Sequence, residues 1–439
     1  MSHEYIQVKK SQPLSGTVKL LGAKNAVLVI MASLLLTDGT SVLENVPSSS
    51  DVFMMIKLLE VLGAQVVFDQ EKHVLTVNTS KVNNFAVPAE IMQKMRASVL
   101  VMGPLLAKFR AADVALPGGC SIGSRPIDYH LNNFINMGAQ VEINDNCVQA
   151  RVQKLQAQKI ILDYPSVGAT ENIMMAAVLT EGKTTIVNAA LEPEVLDLVF
   201  VLKKMGAEIQ VLPAATIEIT GVQKLQSIKH HIVFDRLEAG SLLLAAAVTG
   251  GSISLPQAPA QYMEIFLSKL EQMGHTVKIG KNGIGVELLA TKTPKAVSFK
   301  THPYPGFPTD LQAPMMVAQC LAEGLSIIEE TVFENRLLHV EELKKMGANI
   351  TVKGSKAFVT GVEQLQAADV RATDIRASCA LALAGLFAEG TTKITGIHHW
   401  RRGYDNLEKK LSSLGANISV EKDVTNQNVS SEKKQQAVL

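Results

Sequence analysis

Residues 62–68 read LGAQVVF, and the phrase returns five times: MGAQVEI at 137–143, MGAEIQV at 205–211, MGHTVKI at 273–279, MGANITV at 346–352 and LGANISV at 414–420. The glycines Gly63, Gly138, Gly206, Gly274, Gly347 and Gly415 stand 68 to 75 residues apart. Self-similarity at a fixed long period marks a chain built from copies of one supersecondary unit. Ahead of each phrase apolar residues recur at helical spacing, as in LEKKLSSLGA at 407–416; behind it they alternate, as in NISV. A glycine at that joint supplies the positive φ that closes a helix before the chain turns into a strand.

A second phrase repeats within the units. An apolar helical run ends in a glycine turn and enters a strand in MASLLLTDGTSVLENV (31–46), MMAAVLTEGKTTIVNAA (174–190), LLLAAAVTGGSISL (242–255), VAQCLAEGLSIIEET (317–331) and LALAGLFAEGTTKITGI (381–397). The copy KFRAADVALPG (108–118) lacks the glycine. These helices carry almost no charge and are expected to be buried on every face. Each unit therefore reads strand–helix–strand–helix–strand, with one buried and one amphipathic helix, which is an α/β fold. A chain of 439 residues exceeds a single core. Two clusters of three units are expected, with a boundary near residue 233, before DRLEAG (235–240). The polar, aperiodic stretch 425–439 is expected to be a disordered tail.

Composition excludes several function classes. The chain is 47% apolar but only 5% aromatic, and its net charge is +1. No global field draws it to nucleic acid or an acidic membrane, and stacking platforms for bases are scarce. The four cysteines, Cys120, Cys147, Cys320 and Cys379, form no CxxC pair, so neither a disulfide framework nor a metal site is expected. The longest apolar runs are about half a membrane span. The polar start MSHEYIQVKK has no signal-peptide core. A soluble protein of the cytoplasm is expected.

The chemistry-bearing residues stand at the starts of the buried helices: Lys24 and Asn25 in GAKN, Arg96 in KMRAS, Ser166 in SVGATEN, Asp235 and Arg236 in DRLEAG, Thr309 and Asp310 in PTDLQ, and Thr373, Asp374 and Arg376 in TDIRAS. Ser, Thr and Asp are ordinary N-caps. Lys and Arg are not, because the dipole is positive at this end. Several cations in equivalent places point to a bound anion, which would enlist free N–H groups, dipole and side-chain charge together. Arg336 in ETVFENRLLHV, and Arg401 and Arg402 in HHWRRGYDNLE, add basic groups. The patterns GxxxxGK[ST], GxGxxG and HExxH are absent from the sequence, so neither a P-loop grip nor those cofactor and metal motifs apply. One loop, ALPGGCSIGSRP at 115–126, carries Cys120 behind two glycines and ahead of Arg125. A structural thiol belongs in an apolar run. Here the loop reads as a flexible segment with an incidental thiol or as one built around it, with Arg125 available to favour the thiolate.

Together, PGGCSIGSRPIDYH (117–130), GAKNAV (22–27), MRASVLVMGPLLA (95–107), SVGATENIM (166–174), FPTDLQA (307–313), TVFENRLLHVEEL (331–343), ATDIRAS (372–378) and RRGYDNLEKKL (401–411) resemble the enolpyruvyl transferase family, and within it the enzymes whose acceptor is UDP-N-acetylglucosamine. The resemblance covers residues 4–420. It implies a two-domain inside-out α/β barrel of six βαβαββ-type units, three per domain, with one domain at 24–233 and the other formed by 1–23 and 234–424. It implies transfer of the enolpyruvyl group of phosphoenolpyruvate to the 3-hydroxyl of UDP-N-acetylglucosamine, releasing phosphate and opening peptidoglycan synthesis, with no metal or organic cofactor. Cys120 would be the general acid at the methylene carbon, and Asp310, near the sugar hydroxyl, the candidate base. Lys24, Arg125 and Arg402 would hold the phosphate and carboxylate of phosphoenolpyruvate. Arg336 and Arg376 would help close the site, and Asn25 would share in it. Contacts to the nucleotide sugar fall to Asn25, Arg96, Arg125, Pro126, Ile127, Asp128, Ser166, Val167, Gly168, Asp310 and Val332. The sequence departs from the family at Ser48–Ser50, where some members carry Lys, at Tyr164, where some carry a base, and at Arg401, where an aspartate is common. Enolpyruvyl transfer to shikimate 3-phosphate and a silent binding paralogue are the alternatives.

Overall fold

The computed structural model describes residues 4–116, 127–144 and 147–422. All six phrase glycines take positive φ, from 87° at Gly347 to 106° at Gly63. At the first copy the Gly63 N–H donates to Glu60 O at 3.0 Å and the Ala64 N–H to Leu59 O at 2.9 Å. Those two bonds satisfy carbonyls that the helix end would otherwise orphan. A Cβ at Gly63 would lie 2.8 Å from Lys81 O, so both the turn and the close approach select glycine. The second turn behaves likewise at Gly39, Gly182, Gly324 and Gly390, each with φ between 101° and 148°. In the glycine-free copy Arg110 occupies that place, with φ 58°. It holds a conformation that costs a residue with a side chain about 1–2 kcal/mol.

The buried helices are α1 (Lys24–Ser33), α2 (Met102–Phe109), α3 (Val167–Ala177), α4 (Arg236–Thr249), α5 (Gln312–Cys320) and α6 (Ile375–Phe387). Along α6 the residues from Arg376 to Leu386 are all buried, as the uncharged text requires. Six four-stranded sheets surround them. In the third unit, strand Lys159–Ile161 runs parallel to Lys183–Val187, which pairs antiparallel with Thr216–Thr220, and that strand with Glu208–Leu212. The order is βαβαββ. The closing hairpin strand, absent from the reading of periodicity alone, is present in the first five units, and in the sixth its place is taken by Glu4–Lys9.

Two apolar cores result. One draws on residues 23–232, the other on 6–20 and 237–418. Segments distant in sequence complete the outer sheets of each set of three units. Strand Lys229–His231 joins the first unit's sheet parallel to Thr40–Glu44. Ser15–Thr17 joins the fourth unit's sheet, and Glu4–Lys9 lies inside the sixth. In the second core α4, α5 and α6 pack against one another. Among the described residues no helix is long and apolar enough to cross a membrane.

His275, after the fourth phrase glycine, gives the fold a pH dependence. Its ring is buried and its Nδ1 accepts the Thr291 N–H at 3.2 Å. Burial lowers its pKa to about 4. Below the ordinary histidine value of about 6.5 the unfolded chain takes a proton that the folded ring resists. Stability is therefore fully present above about pH 6.5 and is lost as the pH falls toward 4. The melting temperature of His275→Asn is expected to fall less than that of the wild-type protein between pH 7 and 4.5. Parallel curves would remove His275 from the account.

Candidate active site

Helix starts from both cores meet along one seam. Asp374 caps α6, its Oδ1 accepting the Arg376 and Ala377 N–H groups at 2.8 and 3.1 Å. Asp235 caps α4 in the same way, and Ser166 Oγ accepts the Ala169 N–H of α3. Asp310 does not cap. It lies inside the short turn Thr309–Leu311 ahead of α5. Its Oδ1 accepts from Arg336 at 2.7 Å and its Oδ2 from Arg376 at 2.9 Å. Burial would raise this carboxyl, but the Arg376 and Arg336 guanidiniums outweigh it and hold it well below the usual carboxylate range.

The clamp around Asp310 is itself anchored. Arg376 donates to Tyr404 Oη at 3.1 Å and lies over the Tyr404 ring. The phenol also meets Ser241 Oγ of α4 at 3.3 Å. Arg336 lies over Phe333 and is buried rather than sitting on an exposed loop. Thr309 Oγ1 donates to Glu330 Oε2 at 2.9 Å, and Glu330 Oε1 accepts the Val332 N–H at 2.8 Å. Glu330 thereby ties the Val332 loop to the Asp310 turn.

Lys24 opens α1, and its Nζ is 3.2 Å from Asp51 Oδ2. Arg402, from the short helix Ile397–Gly403 of the second core, places Nε 2.9 Å from Asp51 Oδ1. Nearby, Asp405 Oδ2 accepts the Ser48 N–H at 2.9 Å. Arg236 of α4 pairs with Glu194 through Nε at 3.0 Å and NH2 at 3.2 Å. Each described cation at a buried-helix start thus faces a protein carboxylate. Arg401 pairs with Glu4 of the N-terminal strand at 2.8 Å.

Asn25 is exposed beside Lys24. Ser166, Val167 and Gly168 form the partly exposed start of α3, and Asp128 opens the helix Asp128–Asn136 directly after buried Ile127. Buried Asn172 fixes these segments to one another. Its Oδ1 accepts the Gly103 N–H at 2.7 Å, its Nδ2 donates to Val99 O at 2.9 Å, and His130 Nδ1 lies 2.9 Å from the same nitrogen. A Cβ at Gly103 would come within 2.3 Å of Asn172 O, so only glycine lets α2 and α3 approach this closely. Tyr164 is partly buried; desolvation, then Glu192 and Glu330, push its phenol up. Cys120, Arg125, Pro126 and the side chain of Arg96 lie outside the described residues.

The described thiols are poor nucleophiles. Burial pushes Cys320 up to about 12 and raises Cys379 and Cys147, and the thiolate is the reactive form. Among the described residues no cluster of three or more His, Cys, Asp or Glu is placed to hold a metal. Sequence reasoning missed Asp51, Glu330, Tyr404 and Ser241. Asp51 reads locally as an ordinary acid in the first turn of Ser50–Val61, and only the fold brings Arg402 to it.

The family model for EPSP synthase (3-phosphoshikimate 1-carboxyvinyltransferase) matches residues 8–411. The chain is 50% identical to UDP-N-acetylglucosamine 1-carboxyvinyltransferase 1 of Caldanaerobacter subterraneus subsp. tengcongensis, over 94% of this chain and 98% of that protein. It is 47% identical to UDP-N-acetylglucosamine 1-carboxyvinyltransferase of Shewanella amazonensis over the same shares. Among solved structures it resembles the enolpyruvyl transferase NikO of Streptomyces tendae, with a TM-score of 0.87 at 24% identity over 96% of this chain and all of that one. It also resembles EPSP synthase of Acinetobacter baumannii, with a TM-score of 0.75 at 17% identity over 95% of this chain and all of that one. These two structural matches bear on the fold alone.

Proposed function

The chain belongs to the EPSP synthase family of carboxyvinyltransferases, and from that premise we propose that it transfers the enolpyruvyl group of phosphoenolpyruvate to the 3-hydroxyl of UDP-N-acetylglucosamine, releasing phosphate. The observation that carries this reading is near-half identity, over almost the whole of each chain, to proteins named for that reaction. The product is a precursor for peptidoglycan.

We assign the roles as follows. Lys24 and Arg402, with Arg125, hold the phosphate and carboxylate of phosphoenolpyruvate by charge-assisted hydrogen bonds. Cys120 gives its S–H proton to the methylene carbon, leaving positive charge on the adjacent carbon. The sugar 3-hydroxyl oxygen bonds to that carbon and its proton passes to Asp310. The resulting tetrahedral ketal then breaks its carbon–phosphate-oxygen bond. Phosphate leaves with the proton held by Asp310, and the methyl proton passes to the Cys120 thiolate, which restores the vinyl group and both side chains. A hydroxyl attacking a carbocation becomes strongly acidic, so a carboxylate as weakly basic as Asp310 suffices. Arg336 and Arg376 keep Asp310 charged and, with closure of the two halves, exclude water from the cation. Asn25, Arg96, Ser166, Val167, Gly168, Ile127, Asp128 and Val332 line the acceptor side.

The family model carries the name of a shikimate-pathway activity, so the acceptor is the point to test. Incubation of phosphoenolpyruvate with UDP-N-acetylglucosamine is expected to give an enolpyruvyl ether of the nucleotide sugar by NMR, and with shikimate 3-phosphate no product. Product from shikimate 3-phosphate alone would overturn the assignment.

A further inference from the structure

We propose that Asp51 is an internal counter-anion that competes with phosphate for the Lys24–Arg402 pair, and is thereby a positioning residue for phosphate release. The inference rests on the assignment of that pair to the phosphate-bearing substrate. One carboxylate holds two cations brought from different cores: Oδ2 lies 3.2 Å from Lys24 Nζ and Oδ1 2.9 Å from Arg402 Nε. Asp51 is buried, and among the described residues its oxygens make no other hydrogen bond. It stands in the first turn of Ser50–Val61, whose N-cap is Ser49, and both of its hydrogen bonds go to the two cations rather than to backbone N–H groups of that helix.

The other carboxylates along this seam are committed elsewhere. Asp235 caps α4, Glu238 binds Lys410 at 2.6 Å, and Asp405 accepts the Ser48 N–H. Asp51 alone among these bridges the cation pair. Two cations and one carboxylate leave a net single positive charge. That attracts an anion but grips it less than the bare pair would. Ser49, which lines the same small cavity as Lys24, has a buried Oγ with no hydrogen-bond partner among the described residues. When phosphate forms, Asp51 is the anion already positioned to retake Lys24 and Arg402. It opposes the phosphate by like charge at short range, where Coulomb interactions are least screened.

Titration calorimetry of inorganic phosphate into the full chain needs no turnover and separates this inference from the acceptor assignment. Asp51→Asn is expected to bind phosphate about tenfold more tightly than wild type, a change of about 1.4 kcal/mol. Asp51→Ser, smaller and equally uncharged, is expected to tighten it as well and serves if the asparagine variant does not fold. In turnover, kcat of the variant is expected to fall, and added phosphate to inhibit at correspondingly lower concentration. A purely structural role for Asp51 would weaken phosphate binding together with everything else at the site. Unchanged or weaker phosphate binding in the uncharged variant overturns the proposal, as does wild-type protein that binds no phosphate. Failure of UDP-N-acetylglucosamine as acceptor would overturn the functional reading and leave the phosphate comparison standing on its own result.

Discussion

Asp310→Asn is expected to lower kcat about 10²–10⁴-fold, the range by which a positioned general base contributes. The substitution keeps the shape of the side chain and removes its charge and basicity. Its second effect is on stability. Arg336 and Arg376 would lose the anion that compensates both of them, and breaking a buried pair by removing one partner costs about 3–5 kcal/mol. Asp310 retains some exposure, its side chain being 25% accessible, so the lower end of that range applies. The two effects separate experimentally. A melting curve reads the second, and kcat measured well below the variant's melting temperature reads the first. Asp310→Glu restores the charge and is expected to recover stability more fully than turnover, because a longer side chain shifts the accepting oxygen. Wild-type kcat in Asp310→Asn would show that the hydroxyl proton goes elsewhere.

Cys120→Ala is expected to reduce turnover by a similar factor without lowering the melting temperature. The residue stands in the glycine-rich stretch PGGCSIG at 117–123, which the sequence reads as a loop built around the thiol rather than as a core segment. Cys120→Asp is expected to retain activity, since a protonated carboxyl also donates a proton. Loss of all activity there would mean that thiol nucleophilicity matters more than acidity. Chemical labelling supplies an independent check. An epoxide phosphonate shaped like phosphoenolpyruvate is expected to alkylate Cys120 and to spare Cys147, Cys320 and Cys379, whose thiols burial pushes upward. Labelling of any of those three would place the reactive thiol elsewhere. Full activity in Cys120→Ala would exclude this thiol as the proton donor.

The repeat was legible because its punctuation is local. A glycine that must take positive φ leaves the same mark at Gly63 as at Gly415. Arg110 shows the limit of that signal, since it adopts the turn conformation without the residue that advertises it. The final hairpin strand of the first five units, such as Lys356–Thr360, was not read from periodicity, although KAFVT alternates. Completion of the outer sheets was not legible at all from local pattern. Lys229–His231 pairs with Thr40–Glu44 nearly two hundred residues away, and nothing in either segment names its partner.

The site divides in the same way. Lys24, Asp310 and Arg376 stood out because they sit at helix starts, where the dipole makes their charge informative. Arg336 and Arg402 were noticed as basic groups, but their partners were not. Asp51, Tyr404 and Glu330 acquire meaning only through contacts across the seam. Several cations in equivalent places pointed to a bound anion, but the carboxylates of the chain that face them were not foreseen. Carboxylates of the chain itself stand opposite Lys24, Arg236 and Arg376, so the protein offsets its own charges before any substrate arrives.

The central claim is that positive groups from both cores activate phosphoenolpyruvate for attack by a nucleotide-sugar hydroxyl. Phosphate release from phosphoenolpyruvate, followed with and without UDP-N-acetylglucosamine, tests it most directly. The account predicts sustained release only when the sugar is present, with one phosphate per enolpyruvyl group transferred. Release at the same rate without the sugar, or none with it, would contradict the account.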